Sequence, residues 1–273
     1  MVRAGRPRPE GPTVEWDLER RNIDAAGLED VAAVVHLAGE PFGARRLTGE
    51  RKRKIRESRV VSTTLLSETL ATMEVGPRIL ISQSGTNFYG DRGDEVLTES
   101  SGRGPGSFFT DVCVAWEAAT QPAVDAGVRT VITRTGMVLA GEGGALGKLV
   151  LNTKLGIGGR IGNGRQWMSW IALEDQVRAV RFLLESDGLS GPFNVTAPTP
   201  VTNRDFSRTL GAVLHRPTFI PIPKFGPALV IGRELAQELL YSSMRVVPNA
   251  LEAAGFGFQH RDLESALRAV LGR

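Results

Sequence analysis

Short apolar runs alternate with amphipathic stretches along the first half of the chain. Residues 31–39, Val-Ala-Ala-Val-Val-His-Leu-Ala-Gly, form a β-branched apolar run closed by glycine. That is the pattern of a strand buried in a parallel sheet. Residues 48–73 carry Ile55, Leu65, Leu66 and Leu70 on one side and predict a long helix. A second strand is expected over 78–84. A polar, glycine-rich stretch (91–106) follows, then a helix over 108–126 with Phe109, Val112, Val114 and Trp116 among its apolar positions. Residues 128–134 read as a third strand. Strands alternating with helices of this length imply an α/β fold with a parallel sheet covered on both faces.

Beyond Gly141 the texture changes. Residues 141–164 are glycine-rich, and Trp167-Met-Ser-Trp-Ile171 is an aromatic island. A helix is expected over 174–184, a strand over 191–195 and a helix over 203–214. A linker punctuated by Pro217, Pro221, Pro223 and Pro227 leads to a helix over 234–241 and a last helix from Leu263. The first dozen residues hold three prolines with Arg3, Arg6 and Arg8, which disfavours regular structure there. The organisation reads as a sheet domain, 1–200, and a small, mostly helical lobe, 201–273, with substrate between them.

Composition narrows the function classes. The 273 residues are 41% hydrophobic and 23% charged, a globular balance. A net charge of +3 gives no reason to expect nucleic acid. One cysteine, Cys113, excludes a disulfide framework or multi-cysteine zinc site, and His36, His215 and His260 have no ligand spacing. No apolar run reaches the roughly 18–20 residues of a membrane span. The chain reads as a cytoplasmic protein with no membrane partner.

Several segments carry a resemblance: His36-Leu-Ala-Gly-Glu-Pro41, Gln83-Ser-Gly-Thr-Asn-Phe-Tyr-Gly90, Trp116-Glu117, Arg134-Thr-Gly-Met-Val-Leu139, Gly143-Gly-Ala-Leu146, Gly162-Asn-Gly-Arg-Gln-Trp-Met-Ser-Trp-Ile171, Asn194-Val-Thr-Ala-Pro198 and Val246-Val-Pro248. In this order they resemble the nucleoside-diphosphate-sugar epimerase-like subgroup of the extended short-chain dehydrogenase/reductases. The resemblance implies a Rossmann-type doubly wound parallel sheet, bound NADP(H) and a family-specific C-terminal domain from about residue 223. It implies no particular reaction.

Against that family the N-terminus reads as incomplete. The strand, glycine turn and helix that hold the dinucleotide pyrophosphate have no counterpart, and Met1-Val2-Arg3 aligns with the end of the family's second strand. Weakened dinucleotide binding is the expectation. The GxxGxxG string at Gly156, Gly159 and Gly162 falls where the family has a substrate-side loop. Cofactor-side positions are then Val2, Arg3, Leu37, Ala38, Gly39, Lys54, Arg59 and Val138. Arg3 is either a partner for the NADP 2′-phosphate or a solvated terminal arginine. Leu37, Ala38 and Gly39 line the adenine–ribose path or simply pack their strand. The rest of the basic run 45–59 reads as a solvated helix face.

The family's proton-transfer set is a Ser/Thr, a Tyr and a Lys four residues later. Ser84 fits the hydroxyl position, whereas Phe109 and Cys113 fall at the Tyr and Lys positions, where neither residue does that work. Tyr89 is the remaining candidate donor, or else a packing aromatic. Arg134, Arg165 and Gln166 are candidates for an anionic substrate group, with a buried structural role the alternative for Arg134. Trp167, Met168 and Trp170 read as core, Asp175 as a helix-start acid, Asn194 as a partner for loop backbone, and Cys113 as an inert buried thiol. No metal site is expected. The reading is an NADP(H)-dependent oxidoreductase or nucleotide-sugar epimerase-like enzyme, its substrate a small molecule, phosphorylated or a nucleotide sugar. The alternative is a non-catalytic NADP(H)-binding regulator.

Overall fold

The computed structural model describes residues 3–4, 13–42 and 46–273, with backbone alone at 3–4. Strand β1 (Arg3–Ala4) pairs in parallel with β2 (Thr13–Val14), and β3 (Trp16–Asp17) pairs antiparallel with β4 (Asn22–Ile23). There follow β5 (Ala33–His36), α1 (Gly49–Thr72), β6 (Ile79–Gly85), β7 (Val96–Leu97), α2 (Phe108–Ala118), α3 (Gln121–Asp125), β8 (Arg129–Thr135) and β9 (Met137–Leu139). Next come α4 (Gly144–Lys154), β10 (Trp167–Met168), β11 (Trp170–Ala172), α5 (Leu173–Glu185), β12 (Gly191–Val195), β13 (Val201–Thr202) and α6 (Asn203–Leu214). The chain ends with α7 (Phe225–Ile231), α8 (Arg233–Ala236), one π-type turn (Gln237–Tyr241), β14 (Arg245–Val246), α9 (Asn249–Ala253) and α10 (Leu263–Leu271).

At the centre is a four-stranded parallel sheet in the order β12-β8-β6-β5. Adjacent residues of its inner strands turn to opposite faces. Leu80 packs with Leu65, Leu66 and Leu70 of α1 and Ala123 of α3, while Ile81 packs with Ala179 and Leu183 of α5 and with Phe256 and Phe258. Helices therefore cover both faces, the Rossmann-like arrangement read from the sequence. A third core, of Leu146, Trp170, Phe206, Leu210 and Leu267, joins α4, α6 and α10 in the helical C-terminal region. No helix is long and apolar enough to cross a membrane among the described residues.

Local chemistry explains where the structure departs from expectation. The 31–39 run is a strand only over β5, and it is not fully buried. β5 has a partner on one side only in the four-stranded sheet, which leaves Val35 36% exposed, and Leu37, just past its end, is 60% exposed. The single helix expected over 108–126 is two, because Pro122 has no N–H to continue the ladder. Helix α4 lies within the glycine-rich stretch and α7 within the proline-punctuated linker. Asp175 does more than start α5. Fully buried, it accepts from the amides of Gln259 and His260 and from Arg178, tethering the C-terminal chain to the sheet layer.

Candidate functional site

Strands β6 and β8 run in register, which sets Ser84 opposite Arg134 on one face. From α2, Glu117 reaches both. Ser84 Oγ donates to Glu117 Oε1 at 2.7 Å, Arg134 Nε to the same oxygen at 2.9 Å, and Arg134 Nη2 to Oε2 at 2.8 Å. Three donors thus satisfy a carboxylate that is only 10% exposed. Arg134 Nη1 donates to Tyr89 Oη at 3.0 Å, and Tyr89 donates its proton to Asn194 Oδ1 at 2.7 Å. Asn194 Nδ2 donates on to the carbonyl of Val247 at 2.9 Å, so its loop-backbone role is half of what it does. The guanidinium of Arg134 also stacks over Phe88, 3.5 Å from the ring centroid.

This buried chain sets the protonation states. Burial raises the Tyr89 phenol above its ordinary value even beside Arg134, which keeps it neutral. Burial pulls the Arg134 guanidinium down, but its bonds to Glu117 outweigh that and lift it above the ordinary value. Burial, with the Glu117 charge behind it, pushes the Cys113 thiol up to about 12. Phe109, at the expected tyrosine position, is 1% exposed and packs edge-on to Phe42 with centroids 4.5 Å apart.

A second cluster lies past the end of β5. Leu37, Ala38 and Gly39 are exposed there. Arg59 is only 7% exposed. Its Nη1 donates to the carbonyls of Glu40 (3.0 Å) and Ile55 (3.1 Å), and its guanidinium lies 4.5 Å from the Phe42 ring centroid and 5.2 Å from that of Trp116. A Cβ on Gly39 would stand 3.0 Å from Arg59 Cζ, so the absent side chain is what lets strand end and guanidinium meet. Arg59 Nε is buried without a partner, and burial lowers the pKa of the group. Lys54 is exposed and pairs with Glu50 at 2.8 Å, and Val138 is half-buried in β9. Val2 lies outside the described residues, and Arg3 contributes the described backbone of β1.

The third group of candidates divides. Arg165 is exposed, whereas Gln166 is buried and its Nε2 donates to the carbonyls of Leu240 (3.0 Å) and Ile161 (3.4 Å), tying the loop to the C-terminal region. Ser84, Tyr89 and Arg134 come together in one network. Leu37–Gly39 and Arg59 form another, with Trp116 of α2 reaching from one toward the other, and Arg165 touches neither. Trp170 is core, and Trp167 donates to Asp94 at 2.8 Å beneath Arg245. No group of three or more potential ligands that could hold a metal is present among the described residues.

Sequence reasoning missed Glu117 as the hub, Asn194 as the acceptor for Tyr89, and Glu238. Glu238 is 8% exposed and accepts from Ser107 Oγ at 2.9 Å, with burial raising its carboxyl above the usual range. One signal was available for Glu117: a serine and an arginine ending neighbouring strands call for an acid above them.

The NAD dependent epimerase/dehydratase family matches residues 3–196, and a domain of unknown function, DUF1731, matches residues 222–270. Epimerase family protein ML0860 of Mycobacterium leprae is 42% identical over 93% of this chain and 81% of its own length. Human epimerase family protein SDR39U1 (isoform 2), solved with NADPH, is 30% identical with a TM-score of 0.89, over 98% of this chain and 90% of that one. The nucleoside-diphosphate sugar epimerase from Corynebacterium glutamicum is 35% identical with a TM-score of 0.77, over 96% of this chain and 53% of that one.

Proposed function

Because the chain belongs to the NAD-dependent epimerase/dehydratase family, we propose that it binds NADP(H) along the C-terminal ends of its parallel strands and acts as an oxidoreductase or epimerase on a small substrate. The observation that carries this reading is the surface past β5. An exposed apolar edge, Leu37-Ala38-Gly39, stands beside a buried arginine, Arg59, whose Nε has no partner. A flat adenine–ribose half with anionic phosphates fits such a surface. The human relative solved with NADPH supports the choice of cofactor.

In this reading Leu37, Ala38, Gly39 and Val138 pack the cofactor, Lys54 and Arg59 face its phosphates, and Arg3 takes the 2′-phosphate. Bound NADP(H) supplies the capacity to accept or donate hydride. The chain's own part is orientation and proton control. Ser84 and Tyr89 already donate their protons to Glu117 and Asn194, so either one serves a substrate oxygen only by exchanging that bond. Arg165 and Gln166 are the substrate-side residues, with Arg134 acting from within the network. A nucleotide sugar is the substrate class that the Corynebacterium relative supports.

The test is a titration of the chain with NADPH and NADH, followed by nicotinamide fluorescence, and then turnover with a nucleotide-sugar panel. Saturable NADPH binding is expected, about tenfold weaker in Leu37→Asp, a change at an exposed side chain, since a factor of ten is a modest contact loss. Absence of saturable NADPH binding overturns the reading. Binding without turnover on any substrate leaves the alternative, a non-catalytic NADP(H)-binding regulator, in its place.

A further inference from the structure

Helix α7, Phe-Gly-Pro-Ala-Leu-Val-Ile, contains no charged residue and no buried one. Phe225 and Leu229 are each 68% exposed and Val230 75%. A helix in a folded chain owes most of its stability to an apolar face turned inward, and here the apolar face is turned outward. The helix is anchored by its last turn. Ile231 packs against Ile55, Phe109 and Leu235, and Arg46 Nη2 donates to the carbonyl of Leu229 at 3.3 Å.

The apolar surface does not stop at α7. The carbonyl of Ile220 lies against Gly159, and the amide of Ile222 donates to the carbonyl of Arg160 at 2.8 Å. The segment entering α7 therefore runs beside the chain leaving α4. Phe219 and Ile220 on the one, and Leu155 and Ile157 on the other, are between 62% and 74% exposed. Exposed apolar surface gathered in this way, rimmed by polar residues, marks a place where something binds.

The charges around it say what. Lys154, Arg216, Lys224 and Arg233 stand exposed in these segments, and none of them forms an ion pair among the described residues, unlike Lys52, Lys54, Arg178 and Arg268, which do. No acid lies between Glu142 and Glu174 or between Asp205 and Glu234, and Glu234 is itself paired with Lys52 at 2.6 Å. Apolar side chains bordered by free cations complement a bilayer with anionic headgroups above its hydrocarbon. Two copies of this chain joined face to face would set the same cations against one another. A partner helix is received by a groove, whereas these side chains project. Attachment at one surface needs no spanning helix, only apolar side chains that reach the headgroup boundary.

We propose that α7, with the adjoining 219–220 and 155–157 segments, docks the chain onto an anionic lipid bilayer. Phe225, Leu229 and Val230 enter the headgroup boundary, and Lys154, Arg216, Lys224 and Arg233 meet the lipid phosphates. The docking does not depend on the cofactor or the reaction proposed above.

Co-sedimentation of the full chain with vesicles tests this, using phosphatidylcholine alone and phosphatidylcholine with phosphatidylglycerol in equal parts. Binding to the mixed vesicles is expected, with little to phosphatidylcholine alone and a steep loss as salt screens the headgroups. Leu229→Asp and Val230→Asp, both at exposed positions, should each weaken binding about tenfold or more, because the apolar anchor goes and an acid faces the headgroups. Lys154→Gln and Lys224→Gln should each weaken it about fivefold, the share of one cation near such a surface. Melting temperature and NADPH affinity should stay unchanged in all four variants. Equal binding to both vesicles, or variants that bind as the parent chain does, overturns the proposal. So does a chain that stays off the mixed vesicles; a concentration-dependent dimer in sedimentation velocity, dissolved by Leu229→Asp, would then give the face to a second copy. Vesicle binding with no NADPH binding would sink the proposed function and leave the docking standing.

Discussion

Arg134 and Glu117 meet as a two-pronged pair at 2.9 and 2.8 Å, with side chains 6% and 10% exposed. Glu117 is the point through which β6, β8 and α2 are joined, because Ser84 donates to the same carboxylate. Removing one partner leaves the other charge buried and uncompensated, so Glu117→Ala should lower unfolding free energy by about 3–5 kcal/mol. The double variant Glu117→Ala/Arg134→Ala should lose less than the sum of the two single changes. Urea unfolding of the four proteins measures the coupling, and strict additivity would contradict it.

Ser84→Ala removes a hydroxyl that already donates its hydrogen bond to Glu117. If an activity is found, it should fall only a few-fold, well short of the 10²-fold or more typical of a lost acid–base group. Stability should fall by about 1 kcal/mol, the net worth of one buried hydrogen bond. A kcat drop on the order of 10²-fold with unchanged KM would instead give Ser84 a direct part in proton transfer.

Cys113 is 6% exposed, and its thiol is pushed up to about 12. The thiolate is the reactive form, so the folded chain should resist iodoacetamide at pH 8 and react stoichiometrically once unfolded in guanidinium. Rapid labelling of the folded protein would show that the α2–β6 contact opens in solution.

His36 is 2% exposed, lies 3.2 Å from the Ser62 hydroxyl and stacks near Trp16. Burial lowers its pKa from 6.5 to about 4. The unfolded chain therefore takes up this proton first as pH falls. The neutral-state stability is fully present above 6.5 and is lost progressively down to about 4, by about 3 kcal/mol in all at 1.36 kcal/mol per unit. Urea midpoints between pH 7 and pH 4 should drop accordingly, and His36→Gln should flatten that slope.

What the sequence disclosed was whatever has a period. The apolar alternation located β6, β8, α1 and α5, and the helix expected over 203–214 is α6 itself. Helix α4 escaped because Gly143, Gly144 and Gly147 lie in and around its first turn, and glycine weighs against a helix in any local reading. The partial exposure of β5 escaped because a hydrophobic run gives no sign of how many neighbours a strand has. Arg59 reads as a cofactor-side position, but its burial was not legible: it faces inward at the turn where Phe42 and Trp116 bracket it. Ser84 and Arg134 were found from their places at strand ends, and Tyr89 as the tyrosine left once Phe109 and Cys113 fell at the usual Tyr and Lys positions. The Glu117 hub joins residues 33 and 17 positions apart, a separation that leaves no periodic trace.

The π-type turn at 237–241 is more than a local irregularity. It carries one more residue per turn than an α-helix, and each residue in a helix turns the chain by about 100°. That rotation decides where the carbonyl of Leu240 points, and Leu240 is the acceptor to which Gln166 ties its loop. Reset to ordinary α geometry, the segment would swing this acceptor aside and cost the loop one of its ties. A helical register shift of one residue thus works as a clasp between the Gln166 loop and the C-terminal region.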